Sequence, residues 1–467
     1  MNRANIFRNP SYPVWIVLLI SLCGCSIDPN LNNNPNDISE SAILTIQGQY
    51  SLLITLQGVG IGDFYSNARS RVGSQWTHQL CAPPGLGRAQ PVAYDSYILT
   101  EDGPPNEMWK NGYYAIKTTN DIINHADKVF GTGQVPYANL VVGMAECYKA
   151  TMLGEIAAYF GSAPIPADPA DPLAPPTYVD QKSVHSEVQR LLDDAIIRFA
   201  SVPSAKVSQD LIFNGSGAKW KSVAHSLKAR YYLHIKDYAK ASLQATLGIN
   251  DASGNLYALY DNSNAGGYSP WGHWSKDEAG SPYRAEKKFI DSLKSEAGDN
   301  RLAKYFNKND SGEYSGYTAH KESSTDSLES NPLQASTMKL YSDYGEPFPI
   351  ISYEENILIK AECEARGEGG GIASAVTDVN TIRLGAGLTA FSSSSQGEVL
   401  KQVLKQKWLQ LFCQGQAYND MRRTPEFPLW DKVPKQNLRF IYPLSENTTN
   451  PNVPKNDDAL VSALLGI

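Results

Sequence analysis

Apolar residues recur at three- and four-residue steps along most of this chain, the spacing of an amphipathic helix. The clearest stripe lies in 140–160, where Val141, Met144, Tyr148, Met152, Ile156 and Tyr159 share one face. Ala145, Gly154 and Ala157 there are small enough for close helix contact. The same spacing predicts helices over 43–56, 109–126, 184–199 and 219–235. Gly48 weakens the first. It resumes over 352–366, stopped by Gly367, and over 372–384 and 399–412. Ser395 and Glu398 stand in capping-box order before the last of these, and Gly415 lies where a helix stop is expected. Several of these helices are striped on more than one side, so each must bury faces on its neighbours. The expected fold class is mainly α: a tetratricopeptide-like helical stack. No regular period near 34 residues is visible, so any repeat is diverged.

Four stretches break the helical pattern: 57–106, 161–178, 251–283 and 307–348. They are rich in Gly, Pro, Ser, Asn or Tyr. They predict a loop-rich irregular subdomain carrying little β, set on one face of the stack and making the binding surface.

The N-terminus reads differently. Arg3 and Arg8 precede a short apolar run over 14–22. That run is shorter than the roughly 20 residues a membrane-spanning helix needs. It stops at Leu22-Cys23-Gly24-Cys25, which resembles a bacterial lipobox. Residues 1–24 are expected to be a lipoprotein signal peptide. Cys25 would be the lipid-attachment site, and 25–40 a flexible tether rich in Asn and Pro. Residues 41–467 would form the folded domain. Multiple acyl chains, at about 0.8 kcal/mol per buried CH₂, hold a protein stably on a bilayer.

A net charge of −7 argues against a nucleic-acid partner. Twenty-six Tyr and eight Trp suit half-exposed, sugar-binding surfaces as well as ordinary cores. Once Cys23 and Cys25 are set aside, Cys81, Cys147, Cys363 and Cys413 remain. They are far apart, without zinc-ligand spacing, and are expected to be buried and reduced. No cofactor is expected. Asp/Asn-rich loops would admit calcium, but no ordered ligand pattern such as an EF-hand is present.

The C-terminal third carries motifs that point further. The segment KQKWLQLFCQGQAYNDMRRTPEFP (405–428) resembles the signature helix and turn of SusD/RagB-like proteins, especially their second SusD-like subgroup. Tyr418 takes the usual tryptophan's place. Downstream, RFIYPLSENTTN (439–450) is similar to the family's R-x-x-Y-P-x-x-E followed by asparagines. Upstream, YEENILIKAECEARG (353–367) resembles an AEA-containing helix that Cys363 interrupts, and VNTIRLGAGL (379–388) follows in its expected place. YFGSAPIP (159–166), residues 213–230 and GDNRL (298–302) extend the likeness over nearly all of the mature chain. The resemblance implies a tetratricopeptide-like domain bearing a loop-rich subdomain. It also implies a surface-exposed, outer-membrane lipoprotein that caps a TonB-dependent transporter and captures oligosaccharides or peptides.

Arg422 and Arg423, with Asp420 and Glu426 nearby, read as architecture. The alternative is an anion site. For a sugar the candidate ligand-binding residues are the aromatics of the long stretches: Trp76, then Trp271 and Trp274 within PWGHW, followed by Tyr283 and Arg284. The alternative is that these rings pack the loops onto the helices. No metalloprotease, nucleophile-elbow or phosphate-loop pattern is present, and His225 and His234 read as packing residues. The expectation is a binding protein and not an enzyme, with a scaffolding surface protein and a glycan hydrolase as rivals.

Overall fold

Helix ends in this protein follow local chemistry more closely than apolar periodicity could specify. The computed structural model describes residues 40–84, 89–166, 174–276, 283–319, 331–424, 426–427 and 439–455. The expected leader, Cys25 and all but the last residue of the tether lie outside them. Twelve helices matter most here: α1 Ile46–Thr55, α2 Ala68–Trp76, α3 Pro104–Phe130, α4 Val135–Phe160, α5 Gln181–Phe199 and α6 Gly217–His234, then α7 Tyr238–Leu247, α8 Pro270–Lys276, α9 Tyr353–Ala365, α10 Gly371–Gly385, α11 Gln396–Gln410 and α12 Gln416–Arg423. α3 and α4 open on prolines, whose missing N–H costs nothing in a first turn. Asp180, Ser216, Asp237 and Ser352 cap α5, α6, α7 and α9 through side-chain oxygens. Gly367, at φ +100°, ends α9 as expected.

α4 is buried around most of its circumference. It packs between α3 and α5. The stack then continues α5 on α6, α6 on α7, α7 on α9, and α9 on both α10 and α11. This is the expected mainly helical stack of layered helix pairs. Its largest core runs from Leu52 in α1 to Tyr442, and a second core joins Leu358, Val379, Val403 and Leu404 across α9, α10 and α11. No described helix is long and apolar enough to cross a membrane.

Two features differ from expectation at the ends of α11. Ser395 precedes α11 but makes no side-chain cap. Glu398 instead bonds Ser393, whose hydroxyl accepts from the Ser395 N–H at 3.1 Å, so the capping box does not close. Gly415 does not stop α11. It stands left-handed at φ +72° and begins α12.

Residues 57–106 are not a long loop. They carry a π turn at Leu56–Gly60, a short helix Ile61–Tyr65, α2, and a further helix Ala89–Asp95. Two of the glycines there serve close packing inside helices. A Cβ on Gly62 would strike the Tyr260 ring, and one on Gly73 would press on Tyr159 and Gly415. The second insertion, around 251–283, is more irregular, and its described residues carry only α8 and single turns besides a three-residue strand.

The little β present ties these insertions together. Strand β1 (Leu80–Cys81) pairs antiparallel with β3 (Arg284–Ala285), Leu80 opposite Ala285. Strand β2 (Leu256–Ala258) pairs antiparallel with β4 (Phe348–Ile351), Ala258 opposite Phe348, with an irregularity at Leu256/Tyr257.

The subdomain is locked to the stack by buried charge. Arg69 on α2 donates to Glu155 on α4 at 2.8 Å. Arg230 on α6 forks onto Glu355 on α9 with two 2.6 Å bonds and also reaches the Tyr65 hydroxyl and the Ile350 carbonyl. A second cluster centres on Glu362 of α9, which receives Arg423, Lys407 at 2.9 Å and Arg366 at 3.1 Å. Asp420 accepts from the same Arg423 and Lys407. Arg423 is therefore architectural, and its main partner is Glu362, beside Cys363 in the departing AEA position, rather than Glu426. Arg422 lies over the Tyr418 ring at 4.0 Å and donates to the Ala158 carbonyl. Cys81, Cys147, Cys363 and Cys413 are all free thiols in the interior.

Candidate ligand-binding face

α8 is seven residues long, and its placement rests on one serine and one glycine. The Ser269 hydroxyl accepts from the Gly272 N–H at 2.9 Å and donates to the Asp343 carbonyl at 3.2 Å. A Cβ on Gly272 would collide with the Asp343–Tyr344 backbone, so only glycine lets α8 lie against that segment. The resulting orientation turns Trp271 and Trp274 inward and leaves His273 and Lys276 exposed.

Three of the five expected ligand residues meet here. Trp271 and Trp274 stand edge to face with ring centres 5.0 Å apart, and Tyr283 lies 5.3 Å from the first and 6.1 Å from the second. The Trp271 indole donates to Ser70 Oγ at 2.9 Å. Arg71, the next residue on α2, lays its guanidinium 4.5 Å over Trp274 and 5.4 Å over Tyr94. It also pairs with Glu107 at 3.2 Å. Burial disfavours the Arg71 cation, but the Tyr283 and Tyr94 hydroxyls and Glu107 outweigh it and raise its pKa.

This cluster is interior. Trp271 is 1% exposed, Tyr283 1% and Trp274 8%. The other two expected residues lie elsewhere. Trp76 sits on a helix, not in a loop, and is fully buried. Its indole donates to the Tyr94 carbonyl at 3.0 Å, and its ring packs on Tyr418 and Phe440 from the C-terminal motifs. Arg284 is in β3, and its guanidinium donates to the Tyr283 carbonyl at 3.0 Å. The reading of these rings as packing between insertion and stack is the one their burial favours.

A half-exposed aromatic pair stands next to α8. Tyr268 and Tyr344 stack at 3.9 Å with planes 15° apart. Lys276 covers Tyr344 at 4.6 Å and pairs with Asp343. Beside Tyr268 opens a cleft of about 220 Å³, lined by Tyr260, Asp261 and Asp63 among others. Burial raises the Asp63 carboxyl, whereas the hydroxyl and N–H of Ser263 lower that of Asp261. A flat ring beside two carboxylates and loop amides has the chemistry to hold a sugar: C–H faces on the ring, hydroxyls on the oxygens. The Tyr content of the insertions hinted at this surface. The pairing of Tyr268 with Tyr344, and the burial of Arg71, had no signal in periodicity.

Among the described residues no group of three or more His, Cys, Asp or Glu is placed to hold a metal. His225 bonds Gln244 at 2.7 Å and His234 bonds Gln416 at 3.2 Å, both as parts of helix packing.

Solved structures share this architecture. A SusD/RagB family protein from Bacteroides thetaiotaomicron superposes with a TM-score of 0.66 at 20% identity, over 89% of this chain and 97% of that one. A SusD homolog from Bacteroides fragilis gives 0.67 at 18% identity, over 86% and 94%. A chitin-binding SusD homolog from Flavobacterium johnsoniae gives 0.65 at 16% identity, over 86% and 93%. A comparison with curated proteins returned no match. A SusD-like profile, described as starch-binding associating with outer membrane, matches residues 65–443. With that profile spanning most of its length, the chain belongs to the SusD-like family.

Proposed function

We propose that this protein is a nutrient-capture receptor, held at the outer membrane by acyl chains on Cys25, that binds an oligosaccharide and passes it to a TonB-dependent transporter. The observation that carries the reading is the half-exposed Tyr268–Tyr344 stack beside the Asp63/Asp261 cleft. Its support comes from the family's starch-binding, outer-membrane description and from a structural relative described as chitin-binding. In this reading Trp271, Trp274 and Tyr283 hold α8 in place, and with it the Tyr268–Tyr344 platform. Arg284 and Trp76 act further back, holding β3 and α2 in place.

Glycan-array screening followed by calorimetry tests the assignment. Binding of an oligosaccharide that Tyr268→Ala weakens, without turnover, supports it. Hydrolysis of the bound glycan would replace it with the enzyme reading. Mass spectrometry of the mature N-terminus tests the Cys25 anchor, and copurification with a large outer-membrane barrel tests the transporter.

A further inference from the structure

Another cleft lies away from α8. It has a volume of about 710 Å³, in the range of small-ligand sites, and runs along the first half of α3. One wall is α3 itself. The other is built from Pro164, Pro166 and Pro176 together with Ser445 and Glu446 of a short helix, Leu444–Thr449. The walls are tied: Ser445 Oγ bonds Asn106 Oδ1 at 3.0 Å, and the Tyr113 hydroxyl donates to the Pro164 carbonyl at 2.9 Å. The floor is Trp109, stacked on Tyr178 at 5.9 Å.

Along the rim, Lys110, Tyr114 and Lys117 fall at i, i+4 and i+7, one stripe of α3. All three are exposed, Tyr114 at 70%, an unusual solvent share for so large a ring. The two lysines are rooted two turns apart, about 10 Å along the axis. Among the described residues, three of the nearby carboxylates are engaged elsewhere. Glu107 pairs with Arg71, Asp127 with Arg198, and Glu446 accepts from Tyr178 at 2.8 Å and from Asn450. Asp121 feels Lys117 without forming an ion pair. Two lysines against one glutamate leave the lining with one net positive charge, on a chain whose net charge is −7.

We infer that this cleft is a second saccharide site, selective for acidic sugars whose carboxylates meet Lys110 and Lys117 while a ring lies on Tyr114. The choice of saccharide as ligand class rests on the nutrient-capture reading. The site itself does not share a lining residue with the Tyr268 cleft.

The test is calorimetry on the detergent-purified full chain with tetragalacturonate, a uronic-acid tetramer. Binding that falls at least about tenfold in K110Q/K117Q, falls again in Y114A, and weakens with added salt is the expected result. No binding of tetragalacturonate, or unchanged affinity in K110Q/K117Q, overturns the site. Equal affinity for tetraglutamate overturns the saccharide class and makes it an anionic-peptide site. Maltotetraose, which is neutral, reports on the other face through Tyr268→Ala. Maltotetraose binding that Tyr268→Ala leaves unchanged, beside intact tetragalacturonate binding, would sink the Tyr268 platform and leave the acidic site standing.

Discussion

Gly154 of α4 faces the Tyr231 ring of α6 so closely that a methyl group in its place would lie inside the ring's van der Waals envelope. The ring cannot retreat, because its hydroxyl donates to the Thr151 carbonyl at 2.9 Å. Gly154→Ala should therefore destabilise the fold by about 1–3 kcal/mol, the usual cost of overpacking. Urea titration of the variant against the parent checks this. Gly143, which meets Phe199 in the same manner on α5, should behave alike.

Glu155 joins three layers. Burial alone would raise its carboxyl, but Arg69 and Arg230 overcome that and hold it at about 2. Its contribution is therefore complete above the ordinary 4.5 and is lost as pH falls toward about 2. Glu155→Gln strands the buried Arg69 guanidinium, while Arg230 keeps Glu355, and should cost about 3–5 kcal/mol. The variant's stability should also lose part of its acid dependence, read as denaturation midpoints between pH 5 and pH 2.

Asp95 has the opposite sign. Burial pushes its carboxyl up to about 7, only partly countered by the Ala82 N–H and Gln75. The folded state favours its protonated form. Stability from this group is full below the ordinary 3.8 and falls as pH rises through about 7. Asp95→Asn should flatten that decline. Denaturation midpoints from pH 4 to pH 8 test it, and an unchanged slope would be against it.

Binding and stability should separate around α8. Tyr268 is half-exposed, so Tyr268→Ala should weaken oligosaccharide affinity with little change in melting temperature. Trp271 is buried and hydrogen-bonded to Ser70, so Trp271→Ala should cost about 3–5 kcal/mol in stability before any effect on ligand is read. Calorimetry paired with thermal melts distinguishes the two.

The four interior thiols give a conformational probe. Burial pushes all of them up, Cys363 to about 12 and the other three well above the ordinary thiol value. A thiol reagent at pH 8 should label them only as fast as the fold opens, and all four should react in denaturant.

The helices of the stack were legible because each buries an apolar stripe, and α4 is the plainest case. Its small residues were legible too, since Gly154 interrupts an otherwise bulky stripe. α2 escaped periodicity because all nine of its residues are buried, polar ones included, with Arg69 held by Glu155 and Ser70 by the Cys413 carbonyl. Gly62 fell in a stretch that breaks the helical pattern, yet it marks close approach between helix and the Tyr260 ring. For the ligand face, sequence supplied the aromatic inventory but not its orientation. Trp271 and Trp274 point inward because Gly272 lets α8 settle flat on residues 343–344, a contact no local pattern encodes.

The two small sheets carry a kinetic consequence. β1 must find a partner some two hundred residues away and β2 one about ninety away, whereas α3 through α7 close against sequence neighbours. Contacts between distant segments carry the larger chain-closure penalty and form late. The stack can thus zip up first, with the aromatic platform completed only when remote strands dock, so no fragment lacking either end of that docking should recognise sugar at all.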